Sequence, residues 1–107
     1  MADDIRVLLV CGTGASSGFM AANMRKAVAA HGYNIKVTAR SESEIKNFID
    51  DTDVVMIGPH LSYVFDDIDS FVGDADVTAI LMHPEYYSSL DGEAAIQHLV
   101  DVLNEDA

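Results

Sequence analysis

Near the start of the chain a cysteine heads a run of small and hydroxylated residues: Cys11-Gly12-Thr13-Gly14-Ala15-Ser16-Ser17-Gly18. Three glycines let the backbone curl with its N–H groups pointing inward, and a helical pattern follows directly. The free amides of a helix's first turn and its partial positive charge favour a bound anion. A thiol facing such donors has a lowered pKa and becomes a competent nucleophile. Cys11 is therefore the candidate catalytic residue, with Gly12, Thr13, Gly14, Ala15, Ser16, Ser17 and Gly18 as the candidate phosphate cradle. The alternative for Cys11 is a buried, inert last residue of the preceding strand.

Other glycine loops fit these residues less well. A Walker loop ends in Gly-Lys-Ser/Thr, and no lysine lies between Cys11 and Gly18. The dinucleotide fingerprint wants a third glycine at the sixth place, where Ser17 stands, and 107 residues leave no room for a substrate domain. A tyrosine-phosphatase-like loop carries arginine six residues after its cysteine; that place is again Ser17. The guanidinium fork that stabilises hydrolysis is thus missing. The loop has no charged side chain, and the nearest cations downstream, Arg25 and Lys26, lie about two helical turns on. Phosphate on Cys11 would be held by neutral amides and the Thr13, Ser16 and Ser17 hydroxyls, which suits a relay that accepts and then releases it.

The elements that must position this loop alternate between strand and helix. Ile5 to Val10 reads as a strand, and Phe19, Met20, Met24, Ala27, Val28 and His31 follow helical spacing up to a C-cap at Gly32. Ile35 to Ala39 alternates apolar and polar. Ser41 and Glu44 form a capping-box pattern ahead of Ile45, Phe48 and Ile49. Asp53 to Ile57 is a third strand stopped by Gly58-Pro59, and Leu61, Val64, Phe65, Ile68 and Phe71 share a helical face. Val77 to Met82 is a fourth strand, His83 to Asp91 a long loop, and Ala95, Leu99, Val102 and Leu103 mark a last helix. This pattern predicts a single α/β domain over residues 1–107, a four-stranded parallel sheet with helices on both faces. Strands one and three are apolar on both faces and belong in the centre; the second alternates and belongs at an edge. Right-handed crossovers then favour the order 2-1-3-4, with the Cys11 loop at the topological switch point where open sheets bind ligands.

Composition narrows the function classes. Half the residues are hydrophobic, enough for one core, while 18 acidic against 6 basic side chains leave a formal charge of −12. Nucleic acid is a poor partner for such a surface, since only Arg25-Lys26 are adjacent basic residues. Apolar runs such as Val7-Leu8-Leu9-Val10 are far shorter than the ~20 residues of a membrane span, so no direct membrane insertion is expected. No leader pattern opens the sequence, which points away from export. One cysteine cannot form an internal disulfide.

The chain resembles the IIB component of the bacterial phosphoenolpyruvate-dependent sugar phosphotransferase system, in its lactose/cellobiose type. The likeness rests on the cysteine and small-residue loop after strand one, on Asp53-Val54-Val55-Met56-Ile57-Gly58-Pro59-His60 with Tyr63, and on Tyr87 to Gly92. It implies the 2-1-3-4 sheet of the low-molecular-weight phosphatase architecture and a cytoplasmic protein that meets the membrane through a permease. It also implies a phosphotransferase whose Cys11 takes phosphate from a phosphohistidine of the IIA component. That phosphate passes to a sugar held by the membrane component IIC, with no cofactor or metal. Family loops more often read Ser-Ala-Gly-Met-Ser-Thr-Ser after the cysteine. Gly-Thr-Gly followed by Ser-Ser also resembles the galactitol or ascorbate types, and His60 stands where glutamine is common.

Two rivals remain. A thiol-based reductase needs a resolving cysteine or a loop-end arginine, and neither is present; a phosphate-binding sensor of flavodoxin-like fold needs neither. His60, Tyr63 and His83 are the candidate second shell of the loop. His60 and His83 follow strands and belong on the same sheet edge as Cys11, or else are plain loop histidines. Tyr63, Tyr86 and Tyr87 either shape a docking surface or pack; Asp91 reads as a general acid or a helix cap, His31 as a helix C-terminal residue, and His98 as solvated. The acidic group Asp66, Asp67, Asp69, Asp74 and Asp76 reads as a solvated face.

Overall fold

The computed structural model describes residues 5–10, 14–41, 44–68, 70 and 77–105, with backbone alone at 14–17 and 105. Cys11, Gly12 and Thr13 lie outside the described residues, as do Asp69, Phe71, Asp74 and Asp76. The elements run β1 (Ile5–Val10), α1 (Gly14–His31), β2 (Ile35–Arg40), α2 (Ile45–Phe48) with a 3-10 turn at Ile49–Asp51, and β3 (Val54–Ile57). A second 3-10 turn (Pro59–Leu61) leads into α3 (Ser62–Asp66), followed by β4 (Thr78–Leu81), α4 (Pro84–Ser88) and α5 (Gly92–Glu105).

The four strands are parallel in the order β2-β1-β3-β4, as the crossover argument expects. Their alternating side chains fill two layers. On one face Val7, Leu9, Val37, Val54, Met56 and Ile80 pack against Met20, Met24 and Ala27 of α1 and Ala95, Ile96 and Leu99 of α5. On the other, Leu8, Val10, Val55 and Ile57 meet Ile45, Ile49, Leu61, Val64 and Ile68. Helices α1 and α5 therefore share one face, and α2 and α3 the other, as right-handed crossovers in opposite directions require. Leu9, wholly enclosed, would cost about 2–5 kcal/mol if cut to alanine.

Polar contacts pin the strand starts and the outer edge. Asp53 accepts from the Arg6 backbone N–H (2.8 Å) and from its guanidinium (3.2 and 3.3 Å), tying β3 to β1. On edge strand β2, Arg25 donates twice to the Val37 carbonyl (3.0 and 2.8 Å), covering part of an edge that otherwise invites strand pairing.

Helix ends depart from expectation in instructive ways. Helix α1 starts at Gly14, one turn earlier than the apolar spacing marks, because Gly14-Ala15-Ser16-Ser17 contains no large apolar residue to extend that spacing. Its C-terminus is as expected: Gly32 has φ +70°, its N–H bonds the Ala29 carbonyl and that of Tyr33 the Val28 carbonyl. The expected loop from His83 to Asp91 instead contains α4, with Pro84 at its first position and only Tyr86 buried, too little periodicity to read. The capping box is half formed. Glu44 stands immediately before α2, with its carboxylate 3.4 Å from the Ser41 N–H but without a side-chain cap on the helix itself. At α5 the capping reading of Asp91 is the structural one: its Oδ1 accepts the Ala94 N–H at 3.1 Å.

Candidate functional site

The strands end level at the sheet's carboxyl edge, with Val10, Ile57 and Leu81 in register. Beyond them the ladder continues, since the Gly58 N–H donates to the Val10 carbonyl (2.9 Å) and the Met82 N–H to that of Ile57 (2.8 Å). Residues 11–13, between β1 and α1, lie outside the described residues. Helix α1 begins at Gly14, where a helix offers its first, intrahelically unbonded amides. Gly14, Ala15 and Ser16 supply those N–H groups, Ser17 closes the first helical bond, and Gly18 is an exposed residue inside the ladder. A Cβ on Gly18 would meet nothing within 4 Å, so no close approach requires glycine there.

The candidate second-shell residues divide. His60, in the turn after β3, is exposed, and its ring lies 5.5 Å from that of Tyr87. A Cβ on Gly58 would come within 2.9 Å of the His60 ring, so glycine makes room for this histidine beside the strand end. Tyr63, on the first turn of α3, is 54% exposed, and Phe19, on the second turn of α1, is 65% exposed. Both rings thus stay at the surface, where packing was the expectation for Tyr63. His83 is drawn into another cluster. It stacks on His98 at 4.2 Å and tilts against Tyr86 at 5.6 Å. His98 is half-buried rather than solvated, its Nδ1 2.6 Å from the Tyr86 hydroxyl. Burial pushes the Tyr86 phenol up to about 12. Tyr86 and Tyr87 both pack against the core, and His31, at the end of α1, pairs with Glu93 and stacks on Tyr33 at 5.2 Å.

Sequence spacing alone placed the nearest downstream cations two turns into α1. In the folded chain Arg40 stands across from Val10, the residue before Cys11, with its guanidinium 4.8 Å from the centre of the Phe48 ring. Strand register brings it there; the adjacency of β1 and β2 was readable, but their register was not. Among the described residues no three His, Cys, Asp or Glu side chains gather as a metal site. Nor is any described helix long and apolar enough to cross a membrane.

Comparison with known proteins agrees with this architecture. The family model described as "PTS system, Lactose/Cellobiose specific IIB subunit" matches residues 6–98. The galactose-specific EIIB component of the phosphotransferase system of Lactococcus lactis subsp. cremoris (strain MG1363) is 24% identical, over 97% of this chain and 100% of its own length. The cellobiose-specific EIIB component of Lactococcus lactis subsp. lactis (strain IL1403) gives the same identity and coverage. Two solved structures bear on the fold. The lactose-specific IIB component domain from Streptococcus pneumoniae superposes with a TM-score of 0.82 at 11% identity, over 92% of this chain and 97% of that one. The cellobiose-specific IIB component from Borrelia burgdorferi gives 0.77 at 20% identity, over 98% and 96%. Sequence match and sheet order thus converge, and the chain belongs to the lactose/cellobiose-specific IIB family of the sugar phosphotransferase system.

Proposed function

We propose that Cys11 is the phosphoryl-carrying residue of this phosphotransferase component. The observation that supports the reading is that only three residues of sequence separate β1, a central strand, from α1, an 18-residue helix whose first amides favour an anion. The thiolate attacks the phosphorus of a phosphohistidine on a IIA partner. An S–P bond forms as the N–P bond breaks, and the imidazole leaves, its nitrogen receiving the proton the thiol gave up. Amides of Gly12 to Ser16, helped by the Thr13, Ser16 and Ser17 hydroxyls, hold the non-bridging oxygens during in-line displacement. Gly18, one turn into the helix, leaves the mouth open rather than adding a donor. A sugar hydroxyl bound by the IIC permease then attacks the same phosphorus, forming O–P, breaking S–P and restoring the thiolate.

His60, in contact with Tyr87, stands at the rim where the incoming phosphohistidine docks; His83, stacked on His98, acts at most through that packing. The reading requires no metal or organic cofactor, because backbone amides supply the electrostatic stabilisation. It places the protein in the cytoplasm, meeting the membrane only through its permease, which carries the choice of sugar. The test is to incubate the chain with a phosphorylated IIA donor and weigh it intact. The wild type gains one acid-labile phosphate, whereas Cys11→Ser gains none and keeps its circular dichroism spectrum. Phosphate retained by the folded Cys11→Ser chain would overturn the assignment.

A further inference from the structure

One face of β2 carries Lys36, Thr38 and Arg40, with Phe48 of α2 against Arg40. The sheet floor at Val7 and Leu8, these three side chains, Arg6, and the Phe48, Asp51 and Thr52 segment together enclose a cavity of about 230 Å³. That is below the roughly 300–1,000 Å³ of drug-sized pockets and suits a small polar metabolite.

The charges at its wall are unevenly satisfied. Arg6 is engaged by Asp53 and, at 4.0 Å, by Asp51. Lys36 and Arg40 have no carboxylate partner among the described residues. Arg40 is held in place by the Phe48 ring beneath it and by a 2.9 Å bond from its guanidinium to the Ala39 carbonyl. Between the two cations the half-buried Thr38 hydroxyl bonds to nothing described. Alternate residues of a parallel strand are about 6.6 Å apart, so a long side chain from each neighbour can converge on the middle one. In a chain of net charge −12 with six cations, three of them line this one cavity.

Two cations with no carboxylate among the described residues, and a hydroxyl between them that bonds to nothing described, match a phosphate dianion, which takes several charge-assisted bonds. Further down the cavity the Asp51 carboxylate and the Arg6 guanidinium offer an acceptor and donors for hydroxyl groups, and Phe48 an apolar wall for C–H groups. We propose that this cavity binds a sugar phosphate, with the phosphoryl group on Lys36, Thr38 and Arg40 and the sugar hydroxyls toward Asp51 and Arg6. Occupation is independent of the Cys11 chemistry, because the cavity floor is the middle of β1 rather than the loop beyond it.

The test is titration of the nitrogen-labelled full chain with glucose 6-phosphate, followed by amide shifts, with glucose, inorganic phosphate and an oligo-glutamate peptide as parallel arms. Saturable shifts centred on Arg6, Lys36, Thr38, Arg40 and Phe48 are expected, with glucose and phosphate each weaker by about tenfold or more. Lys36→Gln and Thr38→Val should each weaken binding, the lysine change by about tenfold, while leaving transfer of phosphate from the IIA donor unchanged. Shifts confined to residues 14–18 would mean that only the cysteine loop binds phosphate and would overturn the proposal. So would equal binding of inorganic phosphate, preference for the acidic peptide, which would make the face a protein contact, or no shifts at all.

Discussion

Helix α5 begins on a residue that no side chain can replace without moving a helix. A Cβ at Gly92 would lie 2.3 Å from the Asn23 carbonyl carbon, 2.4 Å from its oxygen and 2.5 Å from the Met24 nitrogen. All three are backbone atoms of α1 and cannot rotate away. Ordinary contact begins near 3.4 Å, so Gly92→Ala must lift the start of α5 by about 1 Å. The seam that opens holds Met20, Ala21 and Met24 against Ala95, Ile96 and Leu99, all enclosed. Overpacking of this kind costs about 1–3 kcal/mol, and straining the 2.8 Å bond from Asn23 Nδ2 to the Leu90 carbonyl adds about 1. The better helix propensity of alanine offsets about 0.5–1 kcal/mol. The net expectation is a loss of about 2–3 kcal/mol, or a fall in Tm of about 8–15 °C for a domain this size. Urea unfolding followed by circular dichroism should show a lower midpoint with an unchanged slope. A loss below about 0.5 kcal/mol would refute the claim that α5 rests directly on the α1 backbone.

Gly18 within α1 and Gly32 just after it should behave differently from Gly92 in the same assay. Gly18→Ala faces open space within a helix and should stabilise by about 0.5–1 kcal/mol, whereas Gly32→Ala, at φ +70°, should destabilise by about 1–2 kcal/mol. Hydrogen bonds from Arg6 hold the Asp53 carboxyl below its ordinary 3.8, so the folded chain binds fewer protons than the unfolded one as pH falls toward that value. Its contribution is complete above the unfolded pKa and lost as pH drops through the folded one. Asp53→Asn should therefore weaken the fold at neutral pH, with the difference from wild type shrinking as pH falls below the ordinary carboxylate value of 3.8; a gap that does not shrink in acid would exclude this source. The Tyr86 phenol, raised from 10.0 to about 12, keeps its proton in the fold after the unfolded chain has lost it. Stability should thus fall as pH rises from about 10 to about 12, and a tyrosinate absorbance titration should show one late-ionising phenol that Tyr86→Phe removes.

The arrangement at the sheet edge links these stability terms to transfer. The α1–α5 seam fixes the helix that starts at Gly14, and the Gly58 bond to Val10 holds the carboxyl end of β1 against the chain leaving β3. Exposed Phe19 and Tyr63 lie on early turns of α1 and α3, two helices that start from this edge.

Local sequence determined the elements that a pattern of apolar residues can encode. Continuous runs in β1 and β3 and alternation in β2 are direct consequences of burial on two faces or one, and with crossover handedness they led to the sheet order. The position of β1's end and α1's start on either side of the cysteine segment was legible for the same reason, since they are neighbours along the chain. Tertiary structure alone decided what depends on distance between elements. Strand register brought Arg40 beside Val10 and Lys36 beside Arg6. Helix packing made Gly92 obligatory and turned His98 from a surface residue into a partner of Tyr86 and His83. The short helix α4 escaped the pattern because it buries only Tyr86, and the first turn of α1 because Gly14-Ala15-Ser16-Ser17 holds no large apolar residue. Contacts of this kind join residues tens of positions apart, and a single sequence holds no local signal for the register at which two such segments meet.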